Sequence, residues 1–70
     1  MELKPVISSN IKAIGYDTST KILHVEFNNN TLYEYKNVPQ EIYDGLINTS
    51  SQGSYLAQHI KGVYLYRRVR

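Results

Sequence analysis

Apolar and polar residues alternate through three short runs in the first half of the chain: IKAIGYD (Ile11 to Asp17), KILHVEF (Lys21 to Phe27) and TLYEYK (Thr31 to Lys36). All three are rich in β-branched or aromatic residues, a composition that fits pleated, half-buried strands. Turn chemistry separates them. DTSTK (Asp17 to Lys21) and NNN (Asn28 to Asn30) carry side chains that bond to nearby backbone, and Asn accepts positive φ. The pattern predicts a three-stranded antiparallel meander.

The loops set the register. A three-residue loop of Asn28, Asn29 and Asn30, with Asn30 left-handed, forms a type I turn plus a bulge. Phe27 then faces Thr31, Val25 faces Tyr33 and Leu23 faces Tyr35. A two-residue loop would set Val25 against Glu34 and turn every side chain over, so it is rejected. With residues 18–21 as the first loop, Tyr16 meets Leu23 and Ile14 meets Val25. The predicted inner face is Ile14, Tyr16, Leu23, Val25, Phe27, Tyr33 and Tyr35. Ala13, Gly15, Ile22, His24, Glu26, Leu32, Glu34 and Lys36 take the outer face, with His24 and Glu34 as cross-strand neighbours. A surface ion pair is the plain reading of those two.

The period changes after NVP. Val38 is held extended by Pro39, and proline suits the first helical position. In PQEIYDGLIN, Ile42 and Leu46 lie four apart, with Tyr43 and Ile47 on an adjoining stripe. Gly45 weakens this helix by up to ~1 kcal/mol relative to Ala unless packing needs a close approach. Ser50 or Ser51 is expected to cap a second helix through SYLAQHI, ended by Gly62, with Leu56 and Ile60 as its seam. VYLYRRV alternates as a short final strand would, with its register left open. The fold class expected is α+β: a three-stranded antiparallel meander packed against two short C-terminal helices, as one domain over residues 1–70.

Composition narrows the function. Seventy residues support only a modest core, and with no cysteine there are neither disulfide staples nor thiolate zinc sites. Apolar content of 41% argues against disorder. MELKPVISSN lacks the apolar stretch of a signal peptide, and no run approaches the roughly 20 apolar residues of a membrane span. A cytoplasmic protein with no membrane association is expected. Eight basic against six acidic side chains leave a net charge of +2. Arg67, Arg68 and Arg70 crowd the last four positions, where they suit phosphate contacts; a solvated tail that aids solubility is the plainer alternative.

No catalytic constellation emerges. The glycines Gly15, Gly45, Gly53 and Gly62 lack phosphate-loop spacing, and His24 and His59 form no metal-binding pattern. The serines read as turn and cap residues without an adjacent base. The chain is expected to be a non-enzyme without cofactor or metal. Seven tyrosines supply nearly all its aromatic surface, beside one Phe and no Trp. Tyrosines on a sheet with cations nearby are how many single-strand readers work, rings stacking on bases while cations hold phosphates. Tyr33 and Tyr35 are assigned to the core. Tyr55, Tyr64 and Tyr66, with Lys61, Arg67, Arg68 and Arg70, are the candidate nucleic-acid-binding residues.

PVISSNIKAIGYD, LHVEFNNNTLYEYKNVP and IYDGLINTSSQGSYLAQHIKGVYLYRRV together resemble the KTSC domain, a small family named for the C-terminal part of some lysyl-tRNA synthetases and also found as stand-alone bacterial or phage proteins. The resemblance runs from about Pro5 to Val69. The family's YxY signature maps onto Tyr33-Glu34-Tyr35, where it marks fold-building positions. Asn30 departs from the Gly that relatives carry there, yet Asn also accepts the left-handed conformation. The synthetase link implies RNA binding, and the resemblance implies no catalytic residue. Three readings follow: an RNA or single-stranded nucleic-acid module; a protein-interaction module of bacterial or prophage origin with a host protein partner; and a small-ligand binder with a pocket among Tyr43, Tyr55 and His59.

Overall fold

Asn30 sits at φ 70°, and that one left-handed residue fixes the central hairpin. The structure, a computed structural model, describes residues 3–6 and 8–70; Met1, Glu2 and Ile7, in the stretch read for a signal segment, lie outside the described residues. The Asn30 amide donates to the Phe27 carbonyl at 2.9 Å, and the Phe27 amide donates to Thr31 at 2.9 Å, closing the expected three-residue loop. Strands β3 (Ile22–Phe27) and β4 (Leu32–Tyr35) therefore pair Val25 with Tyr33 and Leu23 with Tyr35.

The preceding loop also takes the expected form. Strand β2 (Ile11–Asp17) pairs Tyr16 with Leu23 and Ile14 with Val25. The Asp17 carboxylate accepts from the Ser19 amide at 2.9 Å and the Ser19 hydroxyl at 2.6 Å, and Lys21 adopts φ 58° to re-enter the sheet. These bonds favour the ionised carboxylate, with the Ser19 hydroxyl first among them, and hold the Asp17 pKa below its usual value.

The meander is the middle of a larger sheet. Strands β1 (Lys4–Pro5) and β5 (Tyr66–Arg68) extend it to five antiparallel strands in sequence order. β1 escaped the sequence reading because it is two residues long and carries a proline, which cannot donate to the ladder. A shift in the β2–β3 register between Ile11 and Ala13 inserts one extra residue at Lys12. This bulge turns Ile11 inward alongside Ile14, so both are buried. Strict alternation would have sent Ile11 outward, and the expected inner face omitted it.

Two helices cover that face. In α1 (Gln40–Asn48), Pro39 serves as the N-cap, so the helix begins one residue later than expected, and the Pro39 carbonyl accepts from the Ile42 amide at 3.0 Å. In α2 (Gln52–His59), Ser51 holds the N-cap position but its hydroxyl makes no capping bond. The helix ends at His59, and the turn that follows passes through Gly62 at φ 77°. Leu46, Leu56 and Ile60 close over Ile11, Ile14, Leu23, Val25 and Tyr35, with Val38 at the edge of the same cluster. Val38 is anchored twice: its amide donates to Lys21 at 2.9 Å, and its carbonyl accepts from the Tyr16 hydroxyl. Tyr16 stacks on Tyr43 with centroids 4.7 Å apart, which ties β2 to α1.

Gly45 lets the helices meet. A methyl group there would lie 2.7 Å from the Tyr55 ring carbon Cζ, closer than real contacts allow. Tyr55 also packs on His59 at 4.5 Å, so the ring has little room to retreat. Crowding of this kind costs about 1–3 kcal/mol, against up to ~1 kcal/mol gained in helix propensity. Denaturant unfolding of Gly45→Ala is expected to show a net loss of about 1 kcal/mol. Adding Tyr55→Phe, which removes the nearest atom, should recover part of it; a stability gain from Gly45→Ala alone would contradict this packing.

Candidate functional site

The helices leave one end of the inner sheet face open. Across β3, β4 and β5 the ladder sets Phe27, Tyr33 and Tyr66 side by side there, because Tyr35 pairs with Tyr66 and Tyr33 with Arg68. The Phe27 and Tyr33 rings meet edge to face, 5.6 Å between centroids at 86°. Tyr33 stacks on Tyr66 at 5.7 Å and 24°, and on Tyr35 at 6.4 Å and 23°. Exposure grows along the row. Tyr35 is 2% exposed, Tyr33 is half-buried and Tyr66 is 60% exposed.

Two cations share this side of the sheet. Lys61 Nζ lies 5.5 Å from the Phe27 ring centroid, carried there by the turn after α2. Arg68 shares the Tyr33 side of the sheet, and its Nε donates to the Arg70 carbonyl at 3.1 Å. At the Phe27 end of the row a groove of about 470 Å³ is lined by Phe27, Tyr33, Leu56, Lys61, Asn28 and Asn29, and it does not reach Tyr66 or Arg68. Aromatic faces, amide groups and two cations together suit a planar, anionic ligand.

The other two arginines face the opposite way. Arg67 pairs across the strands with Glu34, its guanidinium 3.0 Å from the carboxylate. His24 Nε2 approaches that carboxylate from the other side at 3.6 Å. Leu32 receives the amides of both Val69 and Arg70, so two residues oppose one and Arg70 turns to the outer face. There its guanidinium pairs with Glu26, and its Nε donates to the Asn30 carbonyl at 3.3 Å.

Of the seven candidate nucleic-acid residues, Lys61, Tyr66 and Arg68 thus lie together on the open inner face. Arg67 and Arg70 are committed to carboxylates on the outer face. Tyr55 fills the gap at Gly45, and Tyr64 is half-buried against the core. The small-ligand pocket expected among Tyr43, Tyr55 and His59 is occupied by their own packing, Tyr43 on Tyr16 and Tyr55 on Gly45 and His59. Sequence reasoning named neither Phe27 nor Tyr33 as a binding candidate and assigned Tyr33 to the core, whereas the structure leaves Tyr33 half-buried. The hairpin register it derived already put both on one face; what it lacked was the place of the final strand and where the helical cover stops.

The family model for the KTSC domain matches residues 7–64. The chain belongs to the KTSC domain family. A crystal structure of a KTSC domain protein from Yersinia pestis is 32% identical and matches 99% of this chain and 97% of that one with a TM-score of 0.95. An uncharacterized protein of Stutzerimonas stutzeri is 38% identical over 89% of both chains. A lysine–tRNA ligase of Nostoc sp. is 39% identical over 96% of this chain, which spans 12% of the ligase's length. The KTSC signature residues Tyr33 and Tyr35 differ in their work: Tyr35 is core, whereas Tyr33 joins the core to the open row. Among the described residues no helix is long and apolar enough to cross a membrane.

Burial pushes the Tyr35 phenol up to about 12, with repulsion from the neighbouring Tyr33 and Tyr66 phenols adding to it. An unfolded phenol titrates near 10. Between these values the unfolded chain has shed a proton that the folded chain keeps, so stability falls as pH rises through the window. Tyr16, raised mainly by burial and then by Asp44 and Asp17, acts in the same direction. Unfolding free energy measured from pH 9 to 12 should therefore decline, with a shallower decline for Tyr35→Phe. An identical slope in the two proteins would show that Tyr35 titrates normally.

Proposed function

We propose that this KTSC domain is a non-catalytic binding module that holds single-stranded nucleic acid, RNA foremost, on the open end of its inner sheet face. The observation that carries the reading is the row Phe27–Tyr33–Tyr66, with Lys61 over Phe27 and Arg68 opposite Tyr33 on the same face. Bases stack on the exposed ring faces while the two cations contact phosphates, and the asparagine-lined groove receives a base edge. The lysine–tRNA ligase relative, whose name assigns it a tRNA substrate, accords with an RNA ligand. The modest net charge of +2 fits few phosphate contacts. A protein contact is favoured at a different place, the free edge of β5 with the exposed Leu65 and Val69 that flank it.

Titration of a fluorescent single-stranded RNA at several salt concentrations tests the reading. Two phosphate contacts give a log–log salt slope of about −1.4. Tyr66→Ala should weaken binding by about 1–3 kcal/mol for its stacked base. Arg68→Ala should lower the slope by about 0.7, whereas Arg67→Ala, on the opposite face, should change neither quantity. Absence of binding at low salt, or equal losses from Arg67→Ala and Arg68→Ala, would overturn it.

A further inference from the structure

The two edges of the sheet are built differently. At the β1 edge, Lys4 and Pro5 supply a charge and a missing donor, both of which discourage another strand from adding. The β5 edge has no proline and, among the described residues, no covering element; its three residues Tyr66–Arg68 carry two arginines, of which Arg67 is held by Glu34, and exposed apolar residues flank them. Leu65 is 77% exposed, Val63 61%, Tyr66 60% and Val69 44%.

The hydrogen-bond pattern shows which backbone groups this edge offers. The Lys36 amide donates to the Leu65 carbonyl at 2.8 Å, and Leu32 and Arg70 exchange bonds at the other end. Alternation then turns Arg67 toward Glu34 on β4, while the amides and carbonyls of Tyr66 and Arg68 point away from the sheet. Four polar backbone groups in line form an unused half-ladder.

The sequence of the edge is complementary to itself. In an antiparallel pairing centred on Arg67, Tyr66 lies opposite Arg68 of the second copy, and Leu65 lies opposite its Val69. Each aromatic ring meets a guanidinium, the favourable cation–π combination, and each apolar side chain meets another. The centre brings two Arg67 side chains together, but each is already bound to its own Glu34 at 3.0 Å, which offsets their repulsion. The outward groups of Tyr66 and Arg68 satisfy one another across the two-fold axis with no change of register.

We infer that β5 pairs with β5 of a second copy of this chain, joining two five-stranded sheets into one of ten strands. The two open aromatic rows then adjoin at the axis, although the pairing stands whether or not those rows bind nucleic acid. Sedimentation velocity of the full chain over a wide concentration range should show the mass rising toward twice the 8.1 kDa of one chain. Amide exchange should show Tyr66 and Arg68 becoming protected as the dimer fills. Arg68→Pro deletes an outward amide that β4 does not use, so it should abolish the dimer while leaving the fold intact. Leu65→Lys, outside the strand, should do the same and decides the matter if Arg68→Pro unfolds. A chain that stays monomeric throughout, or a dimer that survives Leu65→Lys with Tyr66 and Arg68 amides unprotected, would overturn the inference.

Discussion

The register of the β3–β4 hairpin is the constraint on which the remaining structure rests. Three asparagines close it, with Asn30 in the left-handed region at φ 70°. Because side chains alternate across a strand, the choice of a three-residue loop decides the orientation of every residue from Leu23 to Tyr35. It places Leu23, Val25 and Tyr35 under the helices, and fully burying each aliphatic side chain is worth about 1.5–3 kcal/mol. A slip of one position would set Val25 against Glu34 and carry Glu34 to the buried face. For a carboxylate without a partner that outcome is prohibitive.

The same alternation separates two kinds of chemistry. On the outer face, His24, Glu34 and Arg67 form one line and Glu26 with Arg70 another. Such surface pairs contribute little stability each, about 0–1 kcal/mol. Their larger consequence is to occupy two of the three terminal arginines. On the inner face, the aromatic row carries Arg68 and Lys61 without a carboxylate between them. What looks in the sequence like one basic tail is divided by the pleat into a neutralised face and a cationic one.

Much of this was legible from the residues. Loop chemistry sufficed for both hairpin registers, because DTSTK and NNN each admit few geometries and only one buries an apolar set. Spacing alone pointed to Ile42 and Leu46 in the first helix and Leu56 and Ile60 in the second; Leu46, Leu56 and Ile60 are buried and Ile42 packs partly buried against them, while Ile47 on the adjoining stripe is 40% exposed. Less legible were the elements that depend on tertiary context. The bulge at Lys12 breaks the period that would have revealed Ile11, and the second at Val69 and Arg70 redirects the last arginine. β1 is too short to leave a periodic trace. At the site, the pattern showed which face Tyr33 occupies but not where the helical cover ends, and that boundary separates the buried Tyr35 from the half-buried Tyr33. The YxY signature accordingly reads first as architecture: Tyr35 seals the core and Tyr33 carries the aromatic stack outward to Tyr66.

Cross-strand proton contacts measured by NMR test the hairpin register most directly. Glu26 with Leu32, and His24 with Glu34, occupy the non-hydrogen-bonded pairs of the ladder, where α-protons of opposing strands come closest. Strong Hα–Hα cross-peaks for those two pairs are the predicted result. Cross-peaks joining Val25 to Glu34 instead would mark a hairpin displaced by one residue, and neither the core nor the aromatic row could then stand as described.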